Sequence, residues 1–174
     1  TREIKDKVLF LAMQSRDNTP HYQHSEIGYN YRLSNISAGI GRGQMQVLDA
    51  HIELRRNMHH FYVNIFKNID EVSVLAVPND NYFANHWLTA ILITPNSVKG
   101  INREALRLAF DKEDIESRPL WKPMHLQPIF SKYPYYGGGV SQALFENGLC
   151  LPSGSNLTDI ERNRIKKVII DFFN

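Results

Sequence analysis

The sequence predicts a small α/β (α+β) domain: a short, mainly antiparallel sheet covered by helices and preceded by one long helix. Three observations predict it. Apolar residues recur at three- and four-residue spacing from Ser34 to about Lys67, a long helical pattern. Short β-branched runs follow, each stopped by a proline. The chain then closes with a capped amphipathic helix. At 174 residues, 43% hydrophobic and 22% charged, it is long enough for one domain with a sizeable core and short for two.

In chain order, Glu3 to Gln14 carries Ile4, Val8, Leu11 and Ala12 at helical spacing. Ser15 to Ser25, with Asn-Thr-Pro and two histidines, has no periodicity and reads as a loop or arm. Together with Ile27 to Leu33 it makes a long irregular stretch, which in a compact domain marks function or a partner surface. Ser34 stands where a helix N-cap belongs. The long helix beyond it carries Ile36, Ile40, Val47, Leu48, Ile52, Met58, Phe61, Tyr62, Ile65 and Phe66. Its weak point is Gly39-Ile40-Gly41-Arg42-Gly43: each glycine costs roughly 1 kcal/mol against alanine, so close backbone packing is expected to compensate. A dinucleotide fingerprint is excluded there, because the spacing is wrong and no strand precedes it.

Val72 to Val77 is a strand stopped by Pro78, and His86 to Thr94 is the strongest strand, closed by Pro95. Asn102 caps a short helix through Phe110. Asp114 to Arg118 is a third strand ended by Pro119. Residues 119–138 form a proline- and aromatic-rich loop, and Val140 to Asn147 a short helix with Gly148 at its C-cap. Leu149-Cys150-Leu151 is a short buried strand. Thr158-Asp159-Ile160-Glu161 is a capping box opening the last helix, whose apolar face is Ile160, Ile165, Val168, Ile169 and Phe172.

A net charge of +2 gives no sign of a nucleic-acid or membrane-surface protein, and no apolar run has the length of a membrane span. The pairs Arg55-Arg56 and Lys166-Lys167 read as solvated helix faces. The single cysteine, Cys150, allows no intrachain disulfide, points to a reducing, cytoplasmic compartment, and reads as a small buried hydrophobe. The start, Thr1-Arg2-Glu3-Ile4-Lys5, lacks an initiator Met and suggests a fragment or processed chain.

There is no P-loop, no nucleophile elbow and no His/Cys/carboxylate set at metal spacing. His59 and His60 read as surface or half-buried. Two stretches carry chemistry. One is the arm Ile27 to Ile36. The other is Glu116 to Pro128, where prolines 119, 123 and 128 stiffen a loop presenting Trp121, Lys122, Met124 and His125. Those four suit a ligand with a flat or apolar ring and a negative tail, and equally a loop whose Trp and Met cover the core edge. A hydrolase using His125 and Cys150 is disfavoured by the apolar setting of the thiol.

Three ordered motifs then resemble one family. They are Gly28-Tyr29-Asn30-Tyr31-Arg32-Leu33-Ser34-Asn35-Ile36 with Gln44 beyond it, Ser117-Arg118-Pro119-Leu120-Trp121-Lys122-Pro123-Met124-His125-Leu126-Gln127-Pro128, and Gly148-Leu149-Cys150-Leu151-Pro152-Ser153-Gly154-Ser155-Asn156-Leu157-Thr158. The chain resembles the pyridoxal-phosphate-dependent nucleotide-sugar aminotransferases of the DegT/DnrJ/EryC1/StrS group, and in its Trp-Lys-Pro-Met-His segment the members acting on UDP-linked 4-keto-6-deoxy amino sugars in pilin glycosylation or bacillosamine synthesis.

The resemblance implies the C-terminal part of a fold-type-I transferase whose active site lies at a homodimer interface. Residues 1–33 would be the helix and arm at the end of the large cofactor domain, and 34–174 the long linking helix with the small domain. Asn30 would reach across the dimer to the phosphate of pyridoxal 5'-phosphate, and Arg32 to the diphosphate of the nucleotide-sugar substrate. Trp121 and His125, with Lys122 and Met124, would line the sugar and nucleotide pocket. Glutamate is the expected amino donor. The Schiff-base lysine would lie upstream, since none of the nine lysines has a matching context, so no catalytic residue is assigned here and the chain alone is expected to be inactive. The alternative is a non-catalytic dimerisation or interaction module of the same fold.

Overall fold

The computed structural model describes residues 1–96 and 98–174, and it divides into two compact units, Thr1–Leu48 and Asp49–Asn174. Six α-helices are described: α1 Arg2–Ala12, α2 Asn35–Gln46, α3 Leu48–Phe66, α4 Arg103–Asp111, α5 Val140–Asn147 and α6 Asp159–Phe173. Four strands, β1 Val72–Val74, β2 Thr89–Ile93, β3 Arg118–Pro119 and β4 Gly148–Leu151, form one antiparallel sheet in the order β1-β2-β4-β3. That is the expected small α/β architecture.

In the second unit the core draws on every layer. Met58, Tyr62 and Phe66 of α3, Leu106 and Phe110 of α4, and Ile165 and Ile169 of α6 join Ile91, Ile93, Leu149 and Leu151 of the sheet in one buried cluster. Alternation along β2 explains half of this, since Thr89, Ile91 and Ile93 share one face and are all buried. The predicted caps form. Asn102 Oδ1 accepts from the Ala105 N–H at 2.9 Å. Thr158 and Glu161 make the reciprocal capping box, with the Thr158 N–H donating to Oε2 at 2.7 Å.

Several expectations are corrected. The long helix is two helices: at Val47 the backbone turns to φ −113°, ψ 5° and its N–H reaches back to the Gln44 carbonyl, a three-residue span that closes α2. The three glycines do not pack closely within this chain, since a Cβ on Gly39, Gly41 or Gly43 would meet nothing within 4 Å. The third strand shrinks to Arg118–Pro119 because the Ile115 N–H donates to the Phe110 carbonyl at 3.0 Å, with Asp114 at φ 55°, so the end of α4 absorbs the segment. Residues before Thr89 turn at His86, φ 47°, which shortens β2, and β1 ends at Val74. Ile160 is 76% exposed and lies off the apolar face of α6.

Gly148 does follow α5, but in extended conformation as the first residue of β4. Its lack of a side chain is required by proximity: a Cβ there would sit 2.4 Å from the Leu144 carbonyl oxygen and 2.2 Å from Leu120 Cδ1.

Arg55 and Arg56 are half-buried rather than a solvated face, because their guanidiniums satisfy loop carbonyls. Arg55 Nη1 donates to Trp87 O at 2.5 Å and Ser153 O at 3.2 Å, and Arg56 Nη1 to Ala84 O at 2.7 Å. His59 is buried, not a surface residue. Its ring stacks on His86 at 3.7 Å between centroids, and burial is the main cause of a pKa pushed down to about 4, with His86, His60 and Arg56 adding to it. Cys150 is buried as expected, and burial pushes its thiol pKa up, away from nucleophilic use. No described helix is long and apolar enough to cross a membrane.

Candidate functional site

In the first unit the arm is built by backbone pairing. After α1 the chain reverses through Gln14 and Ser15, both at positive φ (67° and 51°). It comes back antiparallel to the helix end. Tyr29 N–H donates to Leu11 O at 2.9 Å, Gln14 N–H to Tyr29 O at 3.0 Å, and Tyr31 N–H to Ala12 O at 3.1 Å, which sets Asn30 opposite Met13. Gly28 makes this possible: a Cβ there would lie 2.4 Å from Ser15 N and from Gln14 C. Asp17 ties the outer loop by accepting from Ser25 Oγ at 2.8 Å and Gln23 Nε2 at 3.0 Å, and these bonds lower its pKa, Ser25 most.

Extended backbone places Tyr29 and Tyr31 on one side, their rings stacked at 5.2 Å. Asn30 and Arg32 are exposed and line one concavity together with Arg16. Arg32 Nη1 lies 3.5 Å from Met13 Sδ, and among the described residues it has no carboxylate partner. The Asn30 amide makes no hydrogen bond to a described residue. The concavity is also lined by Asp17, whose carboxylate is engaged by Ser25 and Gln23, so one amide and two guanidiniums remain as donors suited to phosphate oxygens. The structure thus joins the two predicted arm residues. It adds Arg16, whose guanidinium lies 4.2 Å from the Tyr22 ring centroid. No local pattern pointed to Arg16, because the loop reversal that returns residue 30 to residue 13 joins segments far apart in the chain.

In the second unit the proline-rich loop is organised by two single 3₁₀ turns, Met124–Leu126 and Pro128–Phe130. His125 is half-buried, its ring stacked on Tyr135 at 3.7 Å, and its buried Nε2 has no hydrogen-bond partner among the described residues. Trp121, Lys122 and Met124 are exposed. Only Trp121 of the four lines the cleft beside this loop, a space of about 420 Å³ walled also by Trp87, Ser117, Arg118, Cys150 and Ser153. His125, Lys122 and Met124 lie outside it.

The sequence pattern of the DegT/DnrJ/EryC1/StrS aminotransferase family matches residues 1–170. The chain belongs to this family. Across 97% of its length it is 42% identical to EpsN of Bacillus subtilis strain 168, described as a candidate pyridoxal phosphate-dependent aminotransferase, of which it covers 43%. It is 29% identical to the GDP-perosamine synthase of Escherichia coli O157:H7, over 99% of this chain and 45% of that protein. A solved DegT/DnrJ/EryC1/StrS aminotransferase from Brucella abortus superimposes with a TM-score of 0.73 at 25% identity, over all of this chain and 44% of that one. The chain therefore spans less than half the length of the relatives it matches. Among the described residues, the arm of the first unit and the cleft of the second each gather donors and aromatic surface.

Proposed function

We propose that this chain is the C-terminal part of a pyridoxal 5'-phosphate-dependent aminotransferase. The parent enzyme aminates a UDP-linked 4-keto-6-deoxy (amino) sugar for surface-glycan or pilin glycosylation, uses glutamate as donor, and works as a homodimer in the cytoplasm. The observation that carries this reading is the concavity of the arm, lined by Asn30, Arg16 and Arg32 together with Asp17. The Trp121–His125 segment supports the choice of substrate class by its resemblance to the bacillosamine-type members.

The donor set fits an anionic group: an amide N–H and two guanidiniums, with no described carboxylate neutralising Arg32. Pyridoxal phosphate, when bound, supplies an electron sink for proton removal next to the transferred nitrogen. This chain's own residues bind and orient. Asn30 donates its amide to the cofactor phosphate of the partner subunit, and Arg32 pairs with the substrate diphosphate. Trp121 borders the nucleotide, and His125, held flat on Tyr135, lies on the sugar side with Lys122 and Met124 beside it. The chain alone does not turn over. The exposed apolar side chains of the first unit, such as Ile4, Val8, Ile36 and Ile40, are covered by a second copy.

The test is kinetic, in the full-length parent, with a UDP-4-keto-6-deoxy sugar and glutamate. Arg32→Ala raises the sugar KM about tenfold with kcat little changed, and Asn30→Ala weakens cofactor binding about tenfold. Wild-type KM and cofactor affinity in both variants, or turnover by the 174-residue chain on its own, would overturn the proposal.

A further inference from the structure

The segment between the second 3₁₀ turn and α5 is anchored at both ends and held in the middle by one side chain. At its start the Tyr133 N–H donates to Phe130 O at 3.0 Å and Ser131 Oγ to Pro128 O at 2.9 Å. At its end the Ala143 N–H reaches Gly139 O at 3.0 Å. Between these anchors Pro134 to Gly138 are all exposed and make no backbone–backbone hydrogen bond among the described residues. Tyr135 ties them down. Its ring lies on the His125 imidazole at 3.7 Å between centroids and 17° from parallel, and its hydroxyl accepts from the Gly139 N–H at 3.4 Å. Its neighbour Tyr136 is 88% exposed and adds no anchor. A stretch with so few contacts opens at low cost, without unfolding the domain beneath it.

The closed arrangement is fitted and at the same time opposed. Gly137 is required by it, because a Cβ there would lie 2.7 Å from Tyr135 Cζ, whereas one on Gly138 would meet nothing within 4 Å. The opposition comes from His125. Its Nε2 is buried and has no hydrogen-bond partner among the described residues, so closure withholds water from a polar atom that the protein does not satisfy. Lifting the Tyr135 ring loses a stacking contact and lets Nε2 regain a hydrogen bond to water. Two terms of opposite sign on one contact make a two-state element. Gly139, at φ 74° and with open space where a Cβ would stand, supplies the pivot beside Gly138.

We infer that Tyr135 is a latch over His125: Pro134 to Gly138 swing about Gly138 and Gly139, and the imidazole becomes available to a ligand only when the aromatic stack parts. Tyr135 is then a positioning residue that acts through His125. The group it admits is one that donates to or accepts from an imidazole nitrogen, for which a sugar hydroxyl is suited. The latch stands on the geometry of this loop. Its use in substrate binding rests on the reading that puts His125 on the sugar side.

Carbethoxylation of the 174-residue chain by diethyl pyrocarbonate at one pH, followed histidine by histidine by peptide mass spectrometry, reads the latch. His125 should react about tenfold more slowly than the exposed His60. Tyr135→Ala should speed His125 about tenfold, and Tyr135→Phe, which keeps the ring, by less than about twofold. Gly137→Ala, whose methyl displaces the ring, should speed it by about threefold or more, while Gly138→Ala stays within about twofold of the unaltered chain. Circular dichroism establishes that each variant is folded. In the full-length parent, Tyr135→Ala should lower the sugar KM about threefold with kcat little changed, because no closed population has to open first.

His125 reacting as fast as His60 in the unaltered chain, no acceleration in folded Tyr135→Ala, or equal rates in Gly137→Ala and Gly138→Ala would each overturn the latch. If the modification rates behave as expected and the KM does not fall, the latch stands and the placement of His125 on the sugar side falls.

Discussion

The two units hold their shape by different means. Asp49–Asn174 contains every buried apolar side chain described, whereas the one buried residue of Thr1–Leu48 is Ser15. Helices α1 and α2 bury none of their residues, although Ile4, Val8, Ile36, Ile40 and Met45 sit on them. The first unit is a hydrogen-bonded frame: backbone pairing of residues 29–31 with residues 11–14, a tied Asp17 and a Lys7–Glu26 ion pair. The second has a core whose burial is the main favourable term in folding. Hydrogen bonds fix the geometry of the arm, while apolar burial sets the stability of the domain.

The largest test of this contrast is a paired truncation. Phe110→Ala should destabilise the chain by about 4 kcal/mol, because its fully buried side chain would leave a cavity in the core. Ile40→Ala, 63% exposed, should fall within about 0.5 kcal/mol. Urea unfolding followed by circular dichroism measures both, and comparable losses would break the distinction.

Acid comes next. Burial, with His86, His60 and Arg56 nearby, holds His59 at about 4 in the folded protein against an ordinary 6.5. Between those values the unfolded chain binds a proton that the folded chain does not, so stability is intact above about pH 6.5 and falls as pH drops toward 4. Discounted for relaxation around the charged ring, the loss is about 2 kcal/mol. His59→Phe keeps the stacking surface without the titration, and its unfolding free energy should vary less across that window. No histidine of the first unit is buried, so the effect belongs to the second.

The smallest effect compares two caps of the same design. Thr158→Ala removes the capping box of α6 and should cost about 1 kcal/mol of global stability. Ser34→Ala removes the hydroxyl that accepts from the Ser37 N–H at 3.1 Å, yet α2 buries nothing. Its expected signature is faster amide exchange in the first turn of α2 with no shift of the main unfolding transition. A global loss as large as that of Thr158→Ala would join the two units into one cooperative structure.

What could be read from residue order was local. Ser34, Asn102 and Thr158 were legible as caps because each bonds a backbone N–H within three residues. The antiparallel sheet, the buried Cys150 and the family motifs were legible from short apolar runs and residue order, whereas the proline stops were only approximate, β1 ending at Val74 and β3 including Pro119. Arg32 and Asn30 were recognised by motif, and the structure adds that Arg16 shares their concavity. Tertiary structure alone decided the break at Val47, the need for glycine at 28 and 148, and the burial of His59 against His86. It also decided the roles of Arg55 and Trp87. Arg55 reads as an exposed charge until closure of the fold brings it, across 32 and 98 residues, to the carbonyls of Trp87 and Ser153. Short-range hydrogen bonding is written in residue spacing, whereas a half-buried cation that satisfies distant carbonyls, or a wall shared by two segments, exists only once those segments have packed.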